Sequence, residues 1–300
     1  MLSKYFNDRR PAGFTLVELL VVMTIISVLM SLIMSGIINV RQTALRSRCT
    51  NNQKELALAI LSYEISKTHL PYWNRLKSST NYSWVSQVLE QLGEGKLATL
   101  YDENRLDPNV SKITLVPLPI VKCPAGDATQ TGLSYVVNCG SEKTQGHTSG
   151  TSGGTNRPTA AVIGSGLFFK YFSDASQNYK STTSSIKDGA SNTIMLTESL
   201  YKHGKLNTEW AKTANAVTKV GLLWNTSLED KNEKTPNNYQ KNLSYFADSN
   251  HANTDIYAFA DNSVRSINKR IYYRTYSSLM APNDKDAGIP ESLEVDPNLE

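Results

Sequence analysis

One uncharged run, from Leu19 to Val40, dominates the hydrophobic pattern of the chain. As an α-helix these 22 residues would be about 33 Å long, enough to cross the hydrocarbon core of a bilayer. A cleavable secretory signal has a shorter apolar region, of about 7–15 residues, with a small-residue cleavage site after it. No such site follows Val40, so the run predicts a helix that stays in the membrane.

A helical period continues beyond the apolar run. Spacings of four, seven, four and three residues place one set of side chains on a single stripe, formed by Leu45, Cys49, Leu56, Ile60 and Tyr63. The pattern therefore predicts one helix from about Phe14 to Ser66, half membrane span and half amphipathic spine. His69-Leu70-Pro71 should end it, because proline cannot continue a helix.

Strands predominate in the predicted structure of the rest of the chain. We also expect a second helix near 83–92, a flexible Gly/Ser/Thr loop at 144–156 and a loosely ordered acidic tail. Apolar segments bounded by turn residues predict six strands, at 112–121, 133–138, 193–198, 221–224, 256–260 and 263–267. The predicted fold class is α+β, with a long N-terminal helix packed on a mainly antiparallel β head.

Charge limits the classes of partner. The chain holds 31 Lys and Arg residues against 27 Asp and Glu residues, a net charge of +4. A basic N-terminal end and an acidic tail differ from the concentrated basic face of a nucleic-acid-binding protein, so we expect no nucleic-acid partner. Lys4, Arg9 and Arg10 favour a cytoplasmic N-terminus, although Arg41 and two further arginines follow the apolar run.

The apolar run is preceded by the sequence GFTLVE, from Gly13 to Glu18. A carboxylate at the edge of the hydrocarbon is costly unless it is paired, so Glu18 is a candidate functional residue. A basic leader that ends in glycine, then Phe-Thr-Leu-Val-Glu and about twenty apolar residues, resembles the class III signal of type IV prepilins and type II secretion pseudopilins.

This resemblance implies that a membrane prepilin peptidase cleaves between Gly13 and Phe14 and then N-methylates Phe14. Glu18 would be the fifth residue of the mature chain, where the family has its assembly glutamate. In a packed filament its carboxylate could pair with the α-ammonium group of a neighbouring subunit. The alternative is that Glu18 only extends to the cytoplasmic headgroups. The implied partners are other pilin-like subunits, the peptidase and membrane lipid.

The pilin-like layout divides the chain into five parts. They are a leader peptide (1–13), a transmembrane and assembly helix (14–40), an amphipathic spine helix (41–68), an extracytoplasmic β-rich head (69–281) and an acidic tail (282–300).

Several blocks of the head, among them IVKCPAGD, SIKDGASNTIMLTES and SNHANTDIYAFADNSVRSI, resemble a large bacterial family of pilin-like proteins of unassigned function. That family is known for a C-terminal His, nine residues, then Asp-Gly. Here His251 and Asp261 keep the spacing, but Asn262 replaces the glycine. Asparagine also tolerates a positive φ, so we expect a hairpin that turns at Asp261-Asn262.

Three cysteines, Cys49, Cys123 and Cys139, are an odd number for an oxidising compartment. The family resemblance implies a Cys49–Cys123 disulfide, which would join the spine helix to the head, and the place of Cys49 on the apolar stripe suits it for that role. A Cys123–Cys139 bridge, closing a loop of roughly 16 residues, and reduced buried thiols are the alternatives.

Motifs for catalysis and metal binding are weak. The chain lacks the paired CxxC or HxxxH spacing of a typical zinc site, a G-x-S-x-G turn between a strand and a helix, and phosphate-binding glycine motifs. His251 and Asp261 could be half of a metal or acid–base site, but we favour a role in shaping the hairpin. The oxygen-rich segment 248–255 lacks EF-hand spacing. We therefore predict no catalytic residue, no metal and no cofactor.

Together these features predict a structural subunit rather than an enzyme. It would be inserted once in the bacterial inner membrane with its N-terminus in the cytoplasm and its head outside. It would assemble through its N-terminal helix into a pilus or secretion pseudopilus, at the surface or in the periplasm. The alternative is a membrane-tethered extracytoplasmic enzyme or ligand-binding module that uses the pilin signal for export.

Overall fold

The computed structural model describes residues 13–77, 80–100, 118–126, 133–141, 160–171, 178–199, 221–224, 247 and 249–289. Residues 112–117 of the strand predicted at 112–121, and the loop predicted at 144–156, lie outside these residues. The described chain divides into two compact units, 1–44 and 45–300.

Helix α1 extends from Leu16 to Lys67, as the continuous helical period predicts. It ends where Thr68 adopts a positive φ of 63°, and the Thr68 N–H still bonds the carbonyl of Glu64 at 2.7 Å. Four of the stripe residues in its second part are buried: Cys49, Leu56, Ile60 and Tyr63. The predicted amphipathic spine is therefore confirmed for the part of α1 in the second unit.

The second unit contains two sheets. Their eight described strands are Asn74–Lys77 (β1), Thr80–Ser83 (β2), Tyr135–Ser141 (β3), Lys170–Tyr171 (β4), Ile194–Glu198 (β5), Gly221–Trp224 (β6), Thr254–Phe259 (β7) and Val264–Asn268 (β8). The larger sheet has the strand order β6-β3-β5-β7-β8 and the smaller has the order β2-β1-β4. Among the described strands, β3 with β6 and β1 with β4 pair in parallel, and the other four pairs are antiparallel.

Both faces of the larger sheet are covered, which explains why β3 and β5 are buried along their whole length. Alternate residues point to opposite faces of a strand. In β7, Ile256 packs in one core with Leu56 and Ile60 of α1. The next residue, Tyr257, packs in a second core with the C-terminal helix Tyr273–Met280. The long helix thus covers one face of the sheet and the short helix covers the other.

Short helical segments complete the described chain. These are Trp84–Gln87, Gly95–Leu100, Ala160–Ser165 and Asp284–Ala287, with 3₁₀ turns at Pro119–Val121 and Thr183–Ser185. The predicted helix at 83–92 is shorter than expected, and 119–121 is a 3₁₀ turn instead of a strand because Pro119 begins it and cannot donate a ladder hydrogen bond.

The prediction of a loosely ordered tail is wrong for its first residues. Asn283 caps the helix Asp284–Ala287 by accepting a hydrogen bond from the Asp286 N–H. The Asp284 N–H bonds Asp188 Oδ2 at 2.7 Å, and the Lys187 N–H bonds the carbonyl of Pro282 at 2.8 Å. Side-chain capping and backbone bonds to another loop therefore hold this segment, and residues 290–300 lie outside the described chain.

Candidate functional site

Two regions carry the predicted site residues: the start of α1 and a cluster buried in the head. At the start of α1, Thr15 and Glu18 form a reciprocal cap. Glu18 Oε2 accepts hydrogen bonds from the N–H and the hydroxyl of Thr15, both at 2.8 Å. The Glu18 N–H donates to Thr15 Oγ1 at 3.3 Å. This is the capping box, which satisfies backbone donors that have no partner inside the helix.

The cap gives Glu18 a partner within its own chain. The resemblance to prepilins implied a partner in a neighbouring subunit, and the two roles are compatible because a carboxylate has four lone-pair positions. Gly13 and Phe14 come just before the cap, outside α1. The peptide bond that a prepilin peptidase would cut is therefore in non-helical, exposed chain.

The first part of α1 exposes its apolar side chains. In this helix the most apolar 18 residues have a mean hydropathy of 2.6, and none of that window is buried within the described chain. Leu29, for example, is 53% exposed. The helix is long and apolar enough to cross a membrane by length and composition. Together with the signal at its start, this indicates membrane anchoring.

In the second unit, Cys49 of α1 and Cys123 form a disulfide, with their Cα atoms 5.4 Å apart. The bridge joins α1 to the segment after the 3₁₀ turn at Pro119–Val121. One helical turn further, Asn52 Nδ2 donates to the carbonyl of Lys122 at 3.1 Å. Cys139 is a free, buried thiol in β3, and burial raises its pKa well above the ordinary value, so it stays protonated.

A buried imidazole and a buried carboxylate lie beside this bridge. His251 Nε2 is 3.4 Å from Glu198 Oε2 and 3.9 Å from Cys123 Sγ. Gln53, also buried, donates to the Ile256 carbonyl at 3.0 Å and lies 3.5 Å from Glu198 Oε1. One ligand atom from each of Cys49, Cys123, Glu198 and His251 lies within 4.8 Å of all the others. We call these four residues the cystine cluster.

Hydrogen bonds in the loop before β7 hold His251 in place. Ser249 Oγ donates to Asp255 Oδ1 at 2.7 Å and lies 3.4 Å from the His251 N–H. Lys269 Nζ reaches both the Ser249 carbonyl, at 2.7 Å, and Asp255 Oδ1, at 3.4 Å. Asp255 is thus engaged by a lysine, whereas a calcium-binding loop would direct its carboxylates to the ion.

The structure does not bring the two ends of the family motif together. Asp261 lies in the exposed β7–β8 turn, where its Oδ1 accepts a hydrogen bond from the Ser263 N–H at 2.8 Å. Strand β7 separates it from His251 by roughly 20 Å, at 3.4 Å per residue. Asn262 has a φ of 66°, the conformation for which the family uses glycine. Asp261 and Asn262 therefore shape the turn, while His251 faces Glu198 instead.

Sequence reasoning missed Glu198 and Gln53. Glu198 is the last residue of β5 and is completely buried. A carboxylate at the end of an apolar strand is the signal that could have identified it, because Glu is almost never fully buried unless it is paired. Burial raises the pKa of the Tyr135 phenol, and the negative charge of Glu198 raises it further. The electrostatic influence of Glu198 therefore extends to β3.

Three comparisons with known proteins relate these regions to families. A model of the family described as protein of unknown function (DUF1559) matches residues 39–273, a span that includes the whole cystine cluster. A model of the prokaryotic N-terminal methylation motif matches residues 8–34, which include the helix cap and most of the apolar run. No curated protein and no solved structure matches the chain.

Proposed function

This chain belongs to the DUF1559 family and carries a prepilin-type N-terminal signal, and on this premise we propose that it is a structural subunit of a pilus-like or secretion pseudopilus filament. It is inserted in the inner membrane with its N-terminus in the cytoplasm, cleaved after Gly13 and N-methylated on Phe14. Its head then lies outside the cytoplasm, and its partners are other pilin-like subunits.

The observation that carries the proposal is the exposed apolar surface of residues 19–40, directly after the GFTLVE sequence. Leu19, Val28 and Val40, at the start, middle and end of this surface, are all more than half exposed. A single chain in water could not keep such a surface exposed. Lipid covers it before assembly, and the equivalent helices of neighbouring subunits cover it in a filament.

Cleavage after Gly13 changes the electrostatics of the helix start. It creates an α-ammonium group on Phe14, one residue before the Thr15–Glu18 cap. The cap holds the carboxylate of Glu18 at the N-terminal end of α1, where negative charge is favourable. A neighbour's α-ammonium can pair with that fixed carboxylate, and pairing of opposite charges in a low-dielectric environment favours lateral association in one register.

The test separates the charge of Glu18 from its capping role. Glu18→Gln keeps an oxygen that can accept from the Thr15 N–H, but it has no charge. Glu18→Ala loses both. In cells with an active prepilin peptidase and assembly machinery, we expect both variants to be processed and both to be lost from the sheared filament fraction. Immunoblots of that fraction and of the membrane fraction measure the distribution.

Normal incorporation of Glu18→Ala would contradict the proposed assembly role. If Glu18→Gln were incorporated normally and only Glu18→Ala were lost from the filament fraction, assembly would require the capping box. The proposed charge pairing between subunits would then be wrong.

The proposed role is structural rather than enzymatic. In the described residues, the sulfur atoms beside His251 belong to a disulfide and are not free nucleophiles. A head that hydrolysed or transferred a group would need a separate nucleophile within hydrogen-bonding distance of a base. An activity retained by the purified head after Glu18 is replaced would support the alternative of a tethered enzyme.

A further inference from the structure

The cystine cluster contains two ionisable side chains that a buried disulfide does not require. A cystine in a core needs apolar neighbours, yet this one has a carboxylate and an imidazole against it. Glu198 Oε2 accepts no hydrogen bond from any described residue, and His251 Nε2 lies 3.4 Å from it. A buried carboxylate oxygen without a hydrogen-bond donor is costly, so its position favours a cation beside it.

The atoms match the ligand set of a structural zinc site. Zinc in proteins takes four ligands in a tetrahedron from thiolates, imidazole nitrogens and carboxylate oxygens. Cys49, Cys123, His251 and Glu198 supply two sulfurs, one nitrogen and one oxygen. All four residues are buried, as expected for a closed structural site without a position for substrate.

The distances also agree with a tetrahedral centre. Standard zinc–ligand bond lengths at tetrahedral angles place an imidazole nitrogen and a carboxylate oxygen about 3.4 Å apart, and a nitrogen and a sulfur about 3.6 Å apart. The His251–Glu198 distance is 3.4 Å and the His251–Cys123 distance is 3.9 Å. The two sulfurs must separate to about 3.8 Å, which happens when their bond is broken. All four ligand atoms lie within 4.8 Å of one another, so the remaining separations need to change by about 1 Å at most.

One hydrogen-bond donor, the Gln53 side chain, already lies next to the cluster. Gln53 Nε2, fixed by its bond to the Ile256 carbonyl, points at Glu198 Oε1 from 3.5 Å. Hydrogen bonds to the second oxygen of a ligating carboxylate orient it and tune the metal. Arg48, Lys122 and Pro124, the sequence neighbours of the two cysteines, line a cavity of about 570 Å³.

We propose that the cystine cluster (Cys49, Cys123, Glu198 and His251) binds one Zn²⁺ when its two cysteines are reduced. The disulfide and the zinc ion are then alternative links between α1 and the head, and only one of them can be present at a time. A dithiol donor reduces the cystine by thiol–disulfide exchange: its two thiols become a disulfide, and Cys49 and Cys123 become thiols. Zinc then displaces the two thiol protons and binds the neutral His251 through Nε2 and Glu198 through Oε2. The proposal does not depend on filament assembly.

The test uses the full-length chain in detergent micelles, with Co²⁺ and Zn²⁺ as probes. The chain is reduced with a phosphine under anaerobic conditions and titrated with Co²⁺. We expect one Co²⁺ per reduced chain, with the visible spectrum of a tetrahedral thiolate-bound ion, and its displacement by Zn²⁺. The oxidised chain should give no such spectrum. Failure of the reduced chain to develop this spectrum would overturn the proposal.

Variants identify the ligands. Glu198→Gln and His251→Ala should each weaken binding by more than the roughly 10–100-fold that is lost with an outer-shell partner, whereas Gln53→Ala should fall within that range. Cys139→Ala is the matched control, because Cys139 is a buried thiol outside the cluster, and it should bind like the original chain. Equal loss in the Cys139 variant would contradict the assignment.

X-ray absorption at the zinc edge of the original reduced chain covers the case in which a variant fails to fold. Two sulfur and two nitrogen or oxygen ligands are expected. A shell of only nitrogen and oxygen would place the metal elsewhere and overturn the proposal.

Discussion

The two parts of helix α1 use the same kind of residue for opposite purposes. Residues 16–44 belong to one compact unit and residues 45–67 to the other. Leu29, in the first part, is 53% exposed, whereas Leu56, in the second, is fully buried. The second part needs only one apolar stripe because the sheet covers that face, while the uncharged run of residues 19–40 in the first part exposes apolar side chains all around the helix.

The arrangement of the apolar residues separates the two parts: they surround the helix in residues 19–40 and form one stripe from residue 45 onward. An apolar surface all around a helix requires an environment that is itself apolar, such as lipid or other helices. An apolar stripe requires only one packed layer, which the larger sheet supplies. The same helix therefore carries the membrane signal and, from residue 45 onward, the scaffold of the head.

The largest effect on the head should come from breaking the link between α1 and the segment that contains Cys123. In the chain-entropy model, a disulfide across 74 residues stabilises a fold by about 4 kcal/mol. We expect the double variant Cys49→Ala/Cys123→Ala to lose about this much free energy of unfolding. Denaturant titration in micelles, followed by the fluorescence of the buried Trp73 and Trp84, measures it, with Cys139→Ala as the single-thiol control.

A matched pair of leucines tests whether the two parts of α1 contribute differently to the stability of the head. Leu56→Ala removes side-chain atoms from the core and should lower the free energy of unfolding of the head by about 2–5 kcal/mol. Leu29→Ala makes the same chemical change on an exposed site and should alter it by less than about 0.5 kcal/mol. The same titration measures both. Similar losses for the two variants would show that residues 16–44 are part of the cooperative core of the head.

A second matched pair tests whether the first part of α1 anchors the chain in the membrane. Leu29 and Leu58 are exposed to a similar degree, 53% and 56%. Lysine at the centre of a spanning helix costs about 3 kcal/mol on insertion scales, so Leu29→Lys should shift the chain out of the carbonate-resistant membrane fraction. Leu58→Lys should leave it there. If both variants stay in the membrane fraction, residues 16–44 do not provide the anchor.

The smallest effect should be a pH dependence confined to the head. Burial, and secondarily the charge of Asp188, raise the pKa of Asp284 from 3.8 to about 6, against a hydrogen bond from Ser278 that lowers it. The folded state therefore holds this proton to a higher pH than the unfolded state. The free energy of unfolding should fall as the pH rises from about 4 to about 6.

Asp284→Asn should flatten this part of the pH profile, because the amide keeps an oxygen for Ser278 but does not titrate. Denaturant titrations at several pH values measure the slope. An unchanged slope in the variant would assign the pH dependence to another group.

The sequence predicted the features that have a local signature. The apolar run, the buried stripe and the end of α1 near Thr68 follow from spacing and from the residues that terminate helices. Most described strands of the larger sheet follow from apolar segments between turn residues. The Asp261-Asn262 turn followed from the family resemblance and from the tolerance of asparagine for a positive φ.

Other features depend on contacts between distant segments and had no local signature. Each residue of the cystine cluster is more than 50 positions from the next, so rules based on short metal-ligand spacings could not detect the cluster. Strands β1, β2 and β4 have few apolar residues and are defined by their partners. The helix Asp284–Ala287 is acidic and short, and its position depends on bonds to the 187–188 loop.

The mass of the N-terminal peptide, taken from the native membrane fraction, shows directly whether the chain is processed as a prepilin. We expect a peptide that begins with N-methylated Phe14, with no trace of residues 1–13. A chain that still begins at Met1, in cells with an active prepilin peptidase, would contradict this expectation and reduce residues 16–40 to a plain anchor.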